Sequence, residues 1–338
     1  MSAKTKRQDI NILYSIGAIL AVLGHSHSND WASFDGTVFY HIIVFIYTFH
    51  MPLFFVIAGI LLYNSKSINV KSFGEFIKEK AFKLLTPYVI LSAVFLIPKG
   101  YIEHGGFKFL NFEFIIRSFL VPRQNTWGHF WFLPTLFICY VILGGIKKLI
   151  TNSDKKFVQW VAVLLGIISV YFWLSPIKTD WFALKDVTEN LFYMVLGMFL
   201  AFVEKRSTVN LNKYIKVIIS VVLIAISVAL YVFNYNYKIK SIISILMVLA
   251  LIFFAKIMGS VLQKQFDFIS KNVFTIYIYS WIFQSFAMIL LERLNVKLIV
   301  MAPIMFVVGI VLPLAIALSY QKAKKLNCKF FDLCLGVR

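Results

Sequence analysis

The stretch VIISVVLIAISVAL, residues 217–230, contains no charged residue and no polar one except two serines. Similar apolar runs cover residues 158–170, 242–255 and 298–318. An α-helix rises 1.5 Å per residue, so about 20 apolar residues cross a hydrocarbon core that is roughly 30 Å thick. These runs therefore predict helices that span a membrane.

The composition of the whole chain agrees with this interpretation. Hydrophobic residues make up 60% of its 338 residues, charged residues only 14%, and the mean hydropathy is +0.81. A soluble domain typically has about 25% charged residues. We predict an all-α polytopic membrane helix bundle that forms a single membrane-embedded domain over residues 1–338. The ten predicted spans are residues 10–27, 38–62, 84–98, 130–146, 157–175, 188–203, 214–233, 240–258, 272–291 and 297–319.

The charged residues indicate how these spans are oriented. With the N-terminus in the cytoplasm, 24 of the 34 Lys and Arg residues fall in the predicted inner segments or at the inner ends of the spans. The acidic residues divide almost evenly between the two sides, so the asymmetry follows the positive-inside bias. We predict that both termini are cytoplasmic and that the chain is a multi-pass protein of a bacterial inner or plasma membrane.

The net charge of +19 has the same explanation. Lys and Arg collect beside anionic lipid headgroups, and here they are scattered between apolar spans. We therefore expect membrane lipids as partners and no nucleic acid. The longest inner loop, residues 63–83, has five lysines and predicts an amphipathic segment on the membrane surface.

Four of the six histidines lie in the first two spans or in the hairpin between them. A histidine near neutral pH can take a proton from a hydroxyl group, and His25 and His50 lie in apolar sequence. These two are our candidate catalytic residues. His27 and His41 have an equally good explanation as interfacial side chains at the outer surface. Since His25 and His27, two residues apart, point to different helix faces, we predict no metal site.

The segment FHMPLFF, residues 49–55, places a proline beside His50. Pro52 has no N–H, and its ring keeps the carbonyl four residues earlier from pairing normally, which predicts a bend. A bend beside His50 can open space for a ligand. A purely structural kink is the alternative.

A second candidate region is RQNTWGHFWFLP, residues 123–134, at the predicted outer start of the fourth span. Tryptophans at this depth suit the aromatic belt of a membrane protein. Arg123 and His129 together can instead bind a polar acceptor. With Trp131, they are our candidate substrate-binding residues.

Four stretches of the sequence together resemble the acyltransferase 3 superfamily, in particular its polysaccharide O-acetyltransferase branch, also described as fucose 4-O-acetylase-like. The stretches are GAILAVLGHS at residues 17–26, FHMPLFF at 49–55 followed by Ala58-Gly59, WFLP at 131–134 and TIYIY at 275–279. They follow the order typical of the family over most of the chain. The phrase around His50 is the most specific of them.

The resemblance implies transfer of an acyl group, usually acetyl from acetyl-CoA, to a hydroxyl of a cell-envelope carbohydrate. The acceptor would be a glycan or a lipid-linked saccharide. The histidine of the first helix, here His25, is the family's candidate catalytic residue. Basic residues at the inner start of the third helix are the family's candidate contacts for the CoA phosphates. Lys80 and Lys83 hold that place in this chain and are our candidate cofactor-binding residues.

Two positions depart from the family's pattern. The family usually has Arg or Lys eleven residues before the histidine, where this chain has Tyr14. Many members have a histidine after the tyrosine motif, where this chain reads Tyr279-Ser280-Trp281. Two other functions therefore stay open: a transporter or flippase of lipid-linked sugars, which the ten spans also fit, and a non-catalytic relative. The sequence does not specify the acceptor sugar, the acyl chain or the oligomeric state.

Overall fold

The computed structural model describes residues 8–28, 34–104, 106–107, 110–151, 153, 155–208, 211–258, 262–322 and 332. These residues form α-helices joined by turns, with no β-strand among them. The helices are α1 (Gln8–Gly24), α2 (Val38–Asn64), α3 (Ser67–Val70), α4 (Phe73–His104), α5 (Phe112–Leu120), α6 (Phe132–Ile150), α7 (Lys155–Leu174), α8 (Leu184–Arg206), α9 (Lys213–Asn234), α10 (Tyr237–Met258), α11 (Gln263–Lys271), α12 (Val273–Arg293) and α13 (Leu298–Lys322). Short 3-10 turns occupy Pro122–Gln124, Gly128–Trp131 and Trp181–Ala183.

The helices confirm the predicted all-α membrane bundle. Within the ranges given above, nine helices are long and apolar enough to cross a membrane. Helix α1 is apolar as well but has only 17 residues. Each of the ten predicted spans overlaps one of these helices. The chain is therefore a multi-pass membrane protein.

Helix α4 is longer than predicted, and its first turns are the reason. The Glu75 N–H donates to Ser72 Oγ at 3.2 Å, and the Glu75 carboxylate accepts from the Ser72 N–H at 2.8 Å. This reciprocal pair is a capping box, which fixes the start of a helix at the next residue, Phe73. The inner loop predicted over residues 63–83 therefore ends before Phe73, and residues 73–83 are the first turns of α4.

The contacts within the chain define two compact units. The first comprises residues 1–57 and 208–338, and the second comprises residues 58–207. In the first unit α1 contacts α10, α11, α12 and α13, while α9 packs along α10. Ala18 and Val22 of α1 form a buried cluster with Ile276 of α12. Helix α1 is thus enclosed by its neighbours, and they determine the surroundings of its last turn.

The second unit is built around α6 and α8. Helix α6 packs against α4 and α8, and α7 packs against α8. Gly59, near the end of α2, lies so close to Met194 of α8 that a Cβ at residue 59 would overlap the Met194 carbonyl. Only glycine permits this approach of two helix backbones.

Lys147 of α6 closes the end of α2 within this second unit. A helix leaves its last carbonyl groups without intrahelical partners, and a cation there also interacts favourably with the helix dipole. The Lys147 ammonium donates to the carbonyls of Leu62 at 2.6 Å, Tyr63 at 2.9 Å and Ser65 at 2.9 Å. Lys147 is therefore a structural cation that caps α2.

Candidate active site

The candidate base His25 lies in the turn that ends α1. Its backbone N–H donates to the carbonyls of Ala21 and Val22, both at 3.2 Å, so His25 stays attached to the last turn of the helix. At the preceding residue, Gly24, a Cβ would come within 2.9 Å of the Tyr47 ring. The close approach of α1 and α2 at Gly24 thus brings Tyr47 beside His25.

Tyr47 of α2 holds the His25 imidazole in one orientation. The Tyr47 hydroxyl donates to the Gly24 carbonyl at 2.6 Å. It also lies 3.1 Å from His27 Nε2 and 3.3 Å from His25 Nδ1. Tyr47 has one hydroxyl proton, which the Gly24 carbonyl or His27 Nε2 accepts, so His25 Nδ1–H donates to Tyr47 Oη. When the His25 ring is neutral and makes this donation, Nε2 is the nitrogen that carries no proton.

His27 is a second buried imidazole beside Tyr47. Its Nδ1–H donates to the Ser28 carbonyl at 2.6 Å. Burial lowers the pKa of His27 and the hydrogen bond to Ser28 opposes this in part, so the ring is neutral near pH 7. His27 is 9% exposed, which argues against its interpretation as a side chain at the outer surface, whereas His41 is exposed.

Trp281 of α12 stacks on His25. The two ring centroids are 4.8 Å apart and the ring planes differ by 10°. An aromatic face attracts a cation, so this stack favours the imidazolium that forms when His25 takes a proton. The Trp281 position, which departs from the family's pattern, is therefore part of the His25 site.

A cavity of about 200 Å³ adjoins the two rings, and it has room for several water-sized groups. Its lining combines the imidazoles with a hydroxyl and flexible apolar side chains. The lining residues are His25, His27, Tyr47, Trp281, Ser285, Met288 and Met305. A reacting group in this cavity lies next to the candidate base.

Helix α12 also fixes the backbone that carries the histidines. Gln284 Nε2 donates to the Val22 carbonyl at 2.8 Å and to Ser26 Oγ at 2.9 Å. Further along, Ser28 Oγ donates to the Glu292 carboxylate at 2.7 Å. Gln284 is fully buried. The segment from Val22 to Ser28 is thus held at both of its ends by one helix.

His50, the other candidate catalytic residue, also contacts Tyr47. Its ring centroid lies 5.4 Å from that of Tyr47, and the His25 centroid lies 5.8 Å from it. The structure therefore brings both histidines to one aromatic ring. His50 Nδ1–H donates to the Ile46 carbonyl at 3.0 Å, and the side chain is 5% exposed. His50 does not line the cavity beside His25, so its contacts support the site from within α2.

Pro52 lies inside α2, which continues from Val38 to Asn64. Pro52 has no N–H to donate to the carbonyl of Thr48, four residues earlier. Ser244 Oγ–H of α10 reaches this carbonyl instead. The carbonyl freed by the proline thus has a protein partner, which favours the structural explanation of Pro52 over an opening for a ligand.

The candidate substrate-binding residues belong to the second unit, where Arg123 contacts two side chains. Arg123 Nε donates to both carboxylate oxygens of Asp186, at 2.8 and 3.0 Å, and Nη2 donates to Asp186 Oδ1 at 2.5 Å. The Arg123 guanidinium carbon lies 4.4 Å from the centroid of the Trp131 ring. Asp186 is 1% exposed, so Arg123 balances a buried carboxylate. The structure brings Arg123 and Trp131 together, with Asp186 as a partner that the sequence analysis missed.

His129 lies in the 3-10 turn Gly128–Trp131 and is only 7% exposed. Its ring centroid lies 4.4 Å from that of Phe130 and 6.0 Å from that of Trp127. The His129 side chain is thus buried among aromatic rings. The Arg123 side chain, 45% exposed, is more accessible to an acceptor.

The candidate cofactor-binding lysines lie near the start of α4 and have partners there. The Lys83 ammonium pairs with Glu79, and Lys71 binds the same carboxylate at 2.6 Å. The Lys80 ammonium lies 3.9 Å from the centroid of the Tyr140 ring. A phosphate that binds Lys83 must therefore compete with Glu79.

Two further sequence predictions concern Tyr14 and metal. Tyr14, at the position where the family usually has a basic residue, packs against Phe54 of the FHMPLFF segment with ring centroids 6.2 Å apart. In the part of the chain that the structure describes, no three His, Cys, Asp or Glu side chains are grouped so that they could hold a metal ion.

Three residues of the His25 site were missed from the sequence: Tyr47, Trp281 and Gln284. Tyrosine and tryptophan are common in membrane helices, so nothing local distinguishes these two. Gln284 carried a usable signal, because a polar amide within an apolar span is costly unless it has a partner. Its partner, the Val22 carbonyl, is 262 positions away in the sequence.

Comparison with known proteins gives a family match over nearly the whole chain. The model of the family Acyl_transf_3, described as an acyltransferase domain, matches residues 7–320. The nodulation protein NolL of Mesorhizobium japonicum is 24% identical over 144 residues. This match covers 42% of the chain and 36% of NolL, so the chain spans little more than a third of that relative. No solved structure matches the chain.

The matched residues 7–320 include every helix from α1 to α12 and almost all of α13. They also include His25 and the FHMPLFF segment. The sequence resemblance is therefore confirmed, and the chain belongs to the acyltransferase 3 family.

Proposed function

We propose that this chain is a membrane-bound O-acyltransferase that moves acetyl from cytoplasmic acetyl-CoA to a hydroxyl of a cell-surface polysaccharide or lipid-linked glycan. One observation carries the proposal. His25 adjoins a cavity, with Nδ1 hydrogen-bonded to Tyr47 and one ring face stacked on Trp281. The family supplies the class of reaction, and this geometry supports His25 as its base.

In the proposed reaction His25 Nε2 takes the proton of the acceptor hydroxyl while the hydroxyl oxygen attacks the thioester carbonyl carbon. The new C–O bond forms, the C–S bond breaks, and the CoA thiolate leaves. The imidazolium then returns its proton to the thiolate. General-base catalysis of this kind typically contributes about 10²–10⁴-fold to the rate.

Tyr47 and Trp281 support the two forms of His25 that this reaction needs. The Nδ1–H donation to Tyr47 keeps the lone pair of the neutral ring on Nε2. The stacked Trp281 favours the imidazolium. His50 contacts the same tyrosine from within α2 and holds it in position.

The candidate binding residues add a donor site and an acceptor site to the proposed enzyme. Lys80 and Lys83 attract the phosphates of acetyl-CoA from the cytoplasmic side, and Glu79 must release Lys83 for a full contact. At the predicted outer side, the half-exposed Arg123 stacked on Trp131 can bind a polar acceptor, while the neighbouring His129 is buried against Trp127 and Phe130.

The test uses acetyl-CoA labelled in its acetyl group and membranes that contain the full chain. We expect label to enter the envelope glycan, and we expect polysaccharide from cells without the chain to lack O-acetyl signals on one sugar. An unlabelled glycan whose transbilayer movement depends on the chain would support a flippase instead. Failure of the protein to bind CoA would support a non-catalytic relative.

A further inference from the structure

We propose that an exposed group of aromatic residues at the adjoining ends of α2 and α9 is a binding site for the saccharide acceptor. The group comprises Tyr40, His41, Phe45, Tyr231 and Tyr235, and we name it the aromatic platform. The proposal rests on the acyltransferase function and adds to it a second contact for the glycan, besides Arg123 and Trp131.

Tyr231 is the centre of the aromatic platform. Its ring centroid lies 4.9 Å from that of Tyr235, 5.3 Å from Phe45 and 6.0 Å from His41. Tyr231 Oη and His41 Nδ1 are 3.1 Å apart and form a hydrogen bond. The Tyr40 ring contacts the His41 ring, and their centroids are 5.4 Å apart. These distances lie in the range of favourable aromatic pairs, so the platform is one packed surface.

The platform combines apolar faces with polar edges that are accessible. Tyr235 is 45% exposed, His41 is exposed, and Tyr40 and Tyr231 are half-buried. Tyrosine hydroxyls both donate and accept hydrogen bonds, and the ring faces are apolar. A sugar ring has an apolar C–H face and an edge of hydroxyl groups. This chemistry matches the platform better than it matches a lipid chain, which has no hydroxyl groups to bind.

Ring contacts connect the platform to the cavity at His25. Phe34 lies between them, with its ring centroid 6.0 Å from that of Tyr40 and 5.6 Å from that of His27. His27 lines the cavity beside His25. All of these residues belong to the first unit. The platform and the cavity are thus separated by two ring contacts through the buried Phe34, a distance that a saccharide of several sugars can span.

The alternative explanation is an aromatic belt in which each ring anchors the protein in the membrane interface. Phe233 provides the matched control for this alternative. It lies in the last turn of α9, between Tyr231 and Tyr235 in sequence, and is 79% exposed. If the rings only anchor the protein, removal of Phe233 and removal of the two tyrosines should change polysaccharide binding alike. If the tyrosines contact sugar, only their removal should weaken it.

The test compares the variant Tyr231→Ala/Tyr235→Ala with Phe233→Ala in the full chain in lipid nanodiscs. The probe is unacetylated envelope polysaccharide isolated from cells that lack the chain. We measure direct polysaccharide binding, and KM and kcat for acetyl transfer. For the double variant we expect binding at least about tenfold weaker and KM raised by about the same factor, with kcat within about twofold. We expect Phe233→Ala to behave as wild type.

Equal polysaccharide binding by the double variant and the wild type would overturn the proposal. Equal weakening by Phe233→Ala would overturn it too. If the double variant does not fold, two other variants replace it. They are Tyr235→Ala alone and Tyr231→Phe/Tyr235→Phe, which keeps the ring faces. Binding that depends on the tyrosines in a wild-type protein that transfers no acetyl would support the platform and reject the acyltransferase function. Normal acetyl transfer by the double variant with unchanged KM would support the acyltransferase function and reject the platform.

Discussion

The candidate functional residues of the two units differ in their charge and in the partners that they contact. In the first unit, the His25 imidazole contacts a tyrosine hydroxyl and a stacked tryptophan ring, and it adjoins a cavity. In the second unit, Arg123 and Lys83 are charged and each binds a carboxylate. An imidazole in its neutral form can act as a general base near neutral pH. A charged side chain that already has a counter-ion can bind a substrate anion only in competition with that counter-ion.

The largest effect should come from His25→Ala, which removes the proposed base. We expect the rate of acetyl transfer to fall by about 10²–10⁴-fold. The measurement is label transferred from acetyl-CoA to the glycan, at equal amounts of folded protein in the membrane. Thermal unfolding in detergent provides the control, because it measures any stability lost with the contacts of His25 to Tyr47 and Trp281. Full acetylation by the variant would reject His25 as the base.

Arg123→Ala tests whether the second unit uses its charges structurally. This change leaves Asp186 buried without its cation, at a cost of about 3–5 kcal/mol in the free energy of unfolding. Asp186→Asn leaves Arg123, which water can reach, and should cost only about 1–2 kcal/mol. In detergent, the unfolding temperature of Arg123→Ala should therefore be lower than that of Asp186→Asn. If Arg123→Ala unfolds at the wild-type temperature but raises the KM for the acceptor, Arg123 is a binding residue instead.

Tyr47→Phe removes the hydroxyl that accepts from His25 Nδ1 while it keeps the ring. The hydrogen bond with His25, worth about 1–2 kcal/mol, is lost together with the donation to Gly24, so we expect kcat to fall on the order of tenfold. Tyr63→Phe is the matched control, because Tyr63 also belongs to α2 and pairs edge to face with Phe202 in the second unit. Equal rates for the two variants would show that Tyr47 does not position His25.

The smallest effect concerns pH and His27. Burial holds the native pKa of His27 below its ordinary value of 6.5, so only the unfolded chain binds a proton between the two values. Stability must therefore fall as the pH drops through 6.5 towards the native pKa, by at most about 1.4 kcal/mol per pH unit. Between about pH 7.5 and about pH 5.5, the unfolding temperature should fall further for wild type than for His27→Gln. Parallel curves would contradict the assignment of a buried neutral ring.

Hydropathy and charge predicted the helices because a membrane span is a local property of about 20 residues. The start of α4 was missed because five lysines suggested a loop, although Ser72 and Glu75 form a capping box there. In the site, His25 was predictable from its apolar surroundings. Trp281 was not, because its contact with His25 depends on how α1 and α12 pack together.

Pro52 has a consequence for how the chain is made. The Thr48 carbonyl that the proline frees has Ser244 as its partner, 196 residues further along the chain. A ribosome adds about 5–20 residues per second, so Thr48 is synthesised roughly ten to forty seconds before Ser244. An unsatisfied carbonyl in hydrocarbon costs several kcal/mol. Until α10 inserts, this carbonyl of α2 therefore needs another partner, such as water or the translocon. Membrane insertion of the first unit is then complete only after the entire second unit has been synthesised.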